Sequence, residues 1–189
     1  MRNILLFILL LMIGKNSNSQ TEDYKKLFDE VPIKDGAIIY EKVFNIDSVN
    51  DKDRLFNAVK ATLIKNTNYK YSKIDEDRTA GSISTSITFE FSNKPNIITI
   101  YYTGVSQLTI DIKENRFRVR LFNNAQKTSV LGIEGGGTME DIYKNEKKLF
   151  DAKKWKEKRS VVIPWHKKLS LILEAFGLLV YQNLNDTDF

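Results

Sequence analysis

Apolar and polar positions along this chain follow three patterns: one unbroken run, stretches that alternate residue by residue, and stripes at helical spacing. The run is Ile4 to Ile13, directly behind Met1-Arg2-Asn3. Ile38 to Ile46 is rich in β-formers and predicts a first strand. Leu55, Phe56, Val59 and Leu63 then recur at helical spacing. They predict an amphipathic helix over Asp51 to Lys65, N-capped by Asn50, with Asp51 and Asp53 at its positive end. Tyr69 to Asp75 reads as a second strand. From Ser82 to Phe91 the alternation is strict, with Ile83, Thr85, Ile87, Phe89 and Phe91 on one side and Ser82, Ser84, Ser86, Thr88 and Glu90 on the other. That is a half-buried antiparallel strand with one wet face. Ile97 to Tyr102 and Ser106 to Lys113 read as one strand interrupted near Gly104, where a bulge fits. Arg116 to Phe122 is the last clear strand.

The register of the last two strands can be derived. With a two-residue turn at Glu114-Asn115, Ile112 faces Phe117, Ile110 faces Val119 and Leu108 faces Leu121. On the opposite side Asp111 faces Arg118 and Thr109 faces Arg120. A slip of one residue would break both faces together, so the pattern specifies this register.

Asn123 to Thr138 is polar and glycine-rich. Gly135-Gly136-Gly137-Thr138 lacks the lysine of a phosphate-binding loop and reads as a flexible linker. Met139 to Phe150 predicts a short helix. A final helix begins at Pro164 and carries Trp165, Leu169, Ile172, Leu173, Phe176, Val180 and Leu184 on one stripe. Leu171, Leu178, Leu179 and Tyr181 widen that stripe, so burial on several sides is expected, with a partner or membrane surface as the sharper alternative. Gln20 to Asp35, punctuated by Pro32 and Gly36, reads as a lead-in with a short helix at Tyr24 to Phe28. The expected organisation is a leader (1–19), a lead-in (20–36), the sheet with its first helix (37–122), a glycine-rich and basic connection with a short helix (123–163), and a C-terminal helix on the sheet (164–185). The class is α+β: two layers, a mainly antiparallel sheet in β-α-β-β-β-β-α order, helices on one face.

The apolar run changes the picture most. A basic start, the run, and the small residues Ser17 and Ser19 before Gln20 make the layout of a secretory signal peptide cleaved before Gln20. The run is shorter than the ~20 residues that span a bilayer. The chain is therefore expected to be exported, periplasmic or secreted, with no membrane span in the mature part. The chain has no cysteine, which excludes disulfides, thiolate metal sites, a cysteine nucleophile and lipid attachment at a cysteine. The net charge is +5, and the leader carries two of those cations, Arg2 and Lys15. Lys144 to Lys168 holds ten Lys/Arg against Glu146, Asp151 and Glu157, so the basic charge is concentrated there. Lys153, Lys154, Lys156, Lys158, Arg159, Lys167 and Lys168 are the candidates for a partner or anionic membrane surface. An exported domain is not expected to meet nucleic acid.

The opening Val31-Pro32-Ile33-Lys34-Asp35-Gly36, the strand around Tyr40, the helix after Asp51 and the hairpin Lys113-Glu114-Asn115-Arg116-Phe117-Arg118 carry a resemblance. Together they resemble the secreted bacterial domain of unknown function with a TBP-like fold. The resemblance covers roughly Pro32 to Phe122 and, more loosely, the final helix. It implies the β-α-β-β-β-β-α order and a signal peptide, and it assigns no activity. In the hairpin Asn115 stands where that family has glycine, and Asn also adopts positive φ.

Candidate chemistry is sparse. His166 is the only histidine. Its neighbours Lys167 and Lys168 would lower its proton affinity, and no serine-nucleophile or zinc spacing accompanies it. Asp75-Glu76-Asp77 reads as an acidic turn, with a carboxylate pair at Asp75 and Asp77 as the catalytic alternative. Arg116, Arg118 and Arg120 lie on one strand face about 6–7 Å apart and could grip a carboxylate, sulfate or phosphate. No motif for a cofactor or metal is present. The chain thus reads as a non-enzymatic envelope module binding a ligand or partner protein. The alternatives are an envelope hydrolase using carboxylates and a structural factor at a membrane surface.

Overall fold

A computed structural model of the chain describes residues 26–47, 49–94, 97, 99–130, 133–151 and 161–186. The leader, the cleavage site before Gln20 and the basic residues Lys153, Lys154, Lys156, Lys158 and Arg159 lie outside these.

The lead-in is more structured than its composition suggests. After a helical turn at 26–29, β1 (Ile33–Lys34) and β2 (Ala37–Ile38) form a small hairpin. Asp35 and Gly36 both take positive φ, 51° and 81°, as a two-residue turn between antiparallel strands demands. Next come β3 (Tyr40–Asn45) and α1 (Lys52–Lys65). The cap of α1 is Asp51, not Asn50: its carboxylate accepts the amides of Asp53 and Arg54. The expected second strand is split into two short pieces, β4 (Lys70–Tyr71) and β5 (Asp75–Asp77).

The long strands are β6 (Ser82–Asn93), β7 (Ile100–Lys113) and β8 (Arg116–Val130). They pair antiparallel in the order β3-β8-β7-β6-β4, with β5 also on β6. The derived register is found residue for residue: Ile112 with Phe117, Ile110 with Val119, Leu108 with Leu121, Asp111 with Arg118. Asn115 turns the chain at φ 53°.

Two expectations about irregular segments are corrected. The bulge lies on β8 and not at Gly104. Asn123 and Asn124 oppose the single residue Ser106, and Asn123 takes φ 50°. Buried Asn124 fixes this kink by accepting from Ser106 Oγ (2.7 Å) and donating to the Ile38 carbonyl (2.9 Å). Gly104 is small for another reason: a Cβ there would stand 2.5 Å from the Phe89 ring. The glycine-rich stretch is not a linker either. β9 (Ile133–Thr138) pairs with β8 and places Gly136 opposite Lys127, where a Cβ would meet the Gln126 carbonyl at 2.7 Å.

α2 (Met139–Asp151) and α3 (Val162–Asp186) complete the chain. Buried Glu146 of α2 accepts the amides of Val161 and Val162, which satisfies donors at the start of α3. The helices cover one face of the sheet. Trp165, Leu169, Ile172, Phe176 and Val180 of α3 join Leu55, Phe56 and Val59 of α1 and the inward row Ile83, Ile87, Ile110, Phe117 in one core. The two helices also share a buried polar contact, Asn183 Nδ2 to Thr62 Oγ1 at 2.9 Å. The outward side of α3 leaves Leu171, Leu178 and Tyr181 exposed, so the expectation of burial on several sides holds for only part of it. Among the described residues no helix is long and apolar enough to cross a membrane.

Candidate functional site

With the helices on one side, strand alternation delivers the other sheet face to solvent. Its rows are Glu41, Val43 and Asn45 of β3; Arg116, Arg118 and Arg120 of β8; Lys113, Asp111 and Thr109 of β7; and Ser82, Ser84 and Ser86 of β6. The three arginines do share this face, but their situations differ. Arg118 Nε and Nη2 donate to Asp111 Oδ2 at 3.0 and 2.7 Å, and Nη1 lies 3.6 Å from Glu41. Arg120 Nη2 donates to the same Asp111 oxygen at 3.1 Å. The hydrogen bonds it donates to Asp111, with the charges of Asp111 and Glu41, raise the Arg118 pKa above the ordinary guanidinium value. Half-exposed pairs of this kind contribute little stability. Their effect is to hold the Arg118 side chain in place.

Arg116 has no acidic partner among the described residues. Its cross-strand neighbours are Asn45 on β3 and Lys113 on β7. Lys113 opposite Arg116 is a like-charge cross-strand pair, a destabilising placement for the bare protein. These two cations, with Arg118, Asp111, Val43 and Phe117, line a hollow of about 260 Å³. Val43 is 48% exposed and offers an apolar wall beside the charges. An anion between Lys113 and Arg116 would relieve the repulsion and gain charge-assisted hydrogen bonds.

A second concavity has no signal in the sequence pattern. A cleft of about 660 Å³ runs along the outer edge of β3, between the β1–β2 hairpin and α3, and includes Glu30, Ile39, Arg120, His166, Ser170 and Leu173. Here the Tyr40 hydroxyl lies 2.9 Å from His166 Nδ1 and 3.9 Å from Met139 Sδ. Burial is the main cause lowering the His166 pKa; Glu30 opposes it and Lys167 adds to it. The cationic neighbour therefore acts as expected but is not the chief influence. Burial and then the charge of Glu140 push the Tyr40 hydroxyl well above the usual phenol range. Tyr40 thus keeps its proton, and a neutral His166 ring suits the contact. The cleft's other charges are of both signs, and Lys42 is already paired with Glu174 across it.

The carboxylate pair does not form a pocket beneath the sheet. Asp75 and Asp77 stand exposed on the edge strand β5. Asp75 pairs with Lys73 at 3.1 Å, and Asp77 accepts the Ala80 amide at 2.8 Å to close the turn before β6. Of the basic surface candidates, Lys167 and Lys168 lie on the first turns of α3. Lys168 Nζ sits 5.4 Å from the Tyr69 ring centroid, a cation–π contact.

The fold has known counterparts. It is similar to the crystal structure of a TBP-like protein from Parabacteroides distasonis, with TM-score 0.58 and 14% identity over 80% of this chain and 97% of that one. It is also similar to a DUF4468 family protein from Bacteroides ovatus, with TM-score 0.52 and 14% identity over 78% of this chain and 90% of the other. No family model and no curated protein matches the sequence. The resemblance drawn from the hairpin and the element order is borne out at the level of fold: the chain has a TBP-like α+β architecture.

Proposed function

We propose that this TBP-like domain is exported, cleaved before Gln20, and works as a non-enzymatic envelope module that binds an anionic group on its open sheet face. The observation that carries the binding reading is the Lys113–Arg116 pair. Two like charges face each other across a hairpin end and, among the described residues, neither forms an ion pair although Glu114 lies in the turn between them; they stand beside a hollow, while the neighbouring arginines are paired with Asp111. A fold that pairs Arg118 and Arg120 with Asp111 but sets Lys113 opposite Arg116 has kept a local conflict, and such conflicts concentrate at functional positions. The signal-peptide layout supports export.

The test is calorimetric titration of the protein with acetate and with inorganic phosphate at low salt. Saturable binding that weakens as salt rises and disappears in a Lys113→Gln/Arg116→Gln variant is expected. Equal heats for wild type and variant would remove the reading. Both side chains are exposed, so the variant retains its core.

A second reading, a factor at a membrane surface, draws on the exposed Leu171, Leu178 and Tyr181 of α3. Co-flotation with anionic vesicles that is lost at high salt would favour it.

A further inference from the structure

The ligand class can be narrowed, on the premise of the anion-binding reading above. We propose that the corner hollow takes a monocarboxylate carrying a short apolar tail, its carboxylate between Lys113 and Arg116 and its tail on Val43.

Val43 is the apolar element of this corner. It projects from the outer face of β3 between Glu41 and Asn45, opposite Arg118, in a corner whose other outward residues are charged or polar. A valine 48% exposed there leaves a patch of apolar surface within the hollow itself. Covering that patch is favourable only for a ligand with apolar atoms next to its charge.

The fixed charges select against a small multivalent anion. Asp111 and Glu41 hold Arg118 from two sides, so Arg118 forms a wall whose charge is already answered. Only Lys113 and Arg116 remain for the ligand. A dianion seated in this corner would also face the Asp111 carboxylate, which lines the hollow. A single carboxylate meets both cations with half the repulsion from Asp111, and guanidinium pairs with it bidentately.

Size sets the last limit. A hollow of about 260 Å³ is smaller than the ~300–1,000 Å³ of pockets that hold drug-sized ligands. It suits one short branched chain. A free short-chain acid and the C-terminal residue of an apolar-ended peptide present the same chemistry.

The experiment titrates the full chain with acetate, inorganic phosphate, 4-methylpentanoate and the tripeptide glycyl-glycyl-leucine, with Arg116→Gln and Val43→Asn as variants. Expected is binding of 4-methylpentanoate about tenfold tighter than acetate, from burial of its extra carbons. Val43→Asn should bring it down to the acetate level, and Arg116→Gln should weaken all four probes. A tripeptide that binds tighter than 4-methylpentanoate identifies a peptide terminus as the source; one that binds no tighter identifies the free acid. Equal affinity for acetate and 4-methylpentanoate, or tighter binding of phosphate, overturns this proposal and leaves the anion site standing. No binding of any probe overturns both. Tight binding of 4-methylpentanoate that neither variant changes places the tail elsewhere and also overturns the proposal.

Discussion

Asp111 decides which of the three β8 arginines is available to a ligand. One of its oxygens accepts from both Arg118 and Arg120, and this converts a row of three like arginines into two braced side chains and one free one. The sequence shows that Arg116, Arg118 and Arg120 share a face, because alternation is a property of the strand alone. It does not show which is free, since that depends on where a guanidinium can reach from a given register. Other residues matter through space that no pattern reveals. Gly177 sits mid-helix in α3, where glycine ordinarily costs stability, yet a Cβ there would lie 2.1 Å from the Phe44 ring of β3. Gly177→Ala is therefore expected to destabilise by about 1–3 kcal/mol despite better helix propensity, because overpacking outweighs it. Urea unfolding measures the difference, and a stabilised variant would contradict the packing described. His166 gives a pH signature. Its folded pKa lies below the unfolded value, so the unfolded chain binds the extra proton. The contribution is complete above about pH 6.5 and is lost as pH falls from there toward the folded pKa. The Tm of wild type should fall more than that of His166→Gln between about pH 7.5 and about pH 5. Parallel falls would show that His166 is not desolvated.

Elements were legible where many side chains vote together. Ile83, Thr85, Ile87, Phe89 and Phe91 fix β6, and three apolar pairs fix the β7–β8 hairpin. The α3 helix was visible for the same reason. Short or glycine-rich elements were not. The β1–β2 hairpin has strands of two residues, too few to show alternation, although its Asp35-Gly36 turn is a strong local signal. In β9 three glycines have no side chains to alternate, and the segment is a strand because β8, just before it in the chain, pairs with it from Val130 and Ile133 onward and supplies its hydrogen bonds. Gly104 suggests a kink near it on β7, but this glycine makes room for Phe89 and the extra residue is on β8, opposite Ser106. The true bulge rests on Asn124, which links β8 to Ser106 and to the Ile38 carbonyl. Asn124→Ala should cost about 1–3 kcal/mol, the penalty of leaving buried polar groups unpaired. Loss of less than a few tenths of a kcal/mol would mean that the kink is set by the backbone alone.

At the scale of the molecule, the helices on one sheet face leave the other free, and the free face is chemically uneven. Hydroxyls of Ser82, Ser84 and Ser86 occupy one side of it, and the arginine corner occupies the other. The edge cleft at Tyr40 and His166 is the larger concavity, but its charges are of both signs and Lys42 is already paired with Glu174 there. The corner is therefore where a ligand is expected to bind. The most direct measurement is amide chemical-shift mapping of the full chain during titration with 4-methylpentanoate at low salt. The prediction is saturable shifts centred on Lys113, Arg116, Arg118 and Val43, absent from the Lys113→Gln/Arg116→Gln variant. Shifts centred on Tyr40 and His166 instead, or no saturable shifts at all, would contradict it.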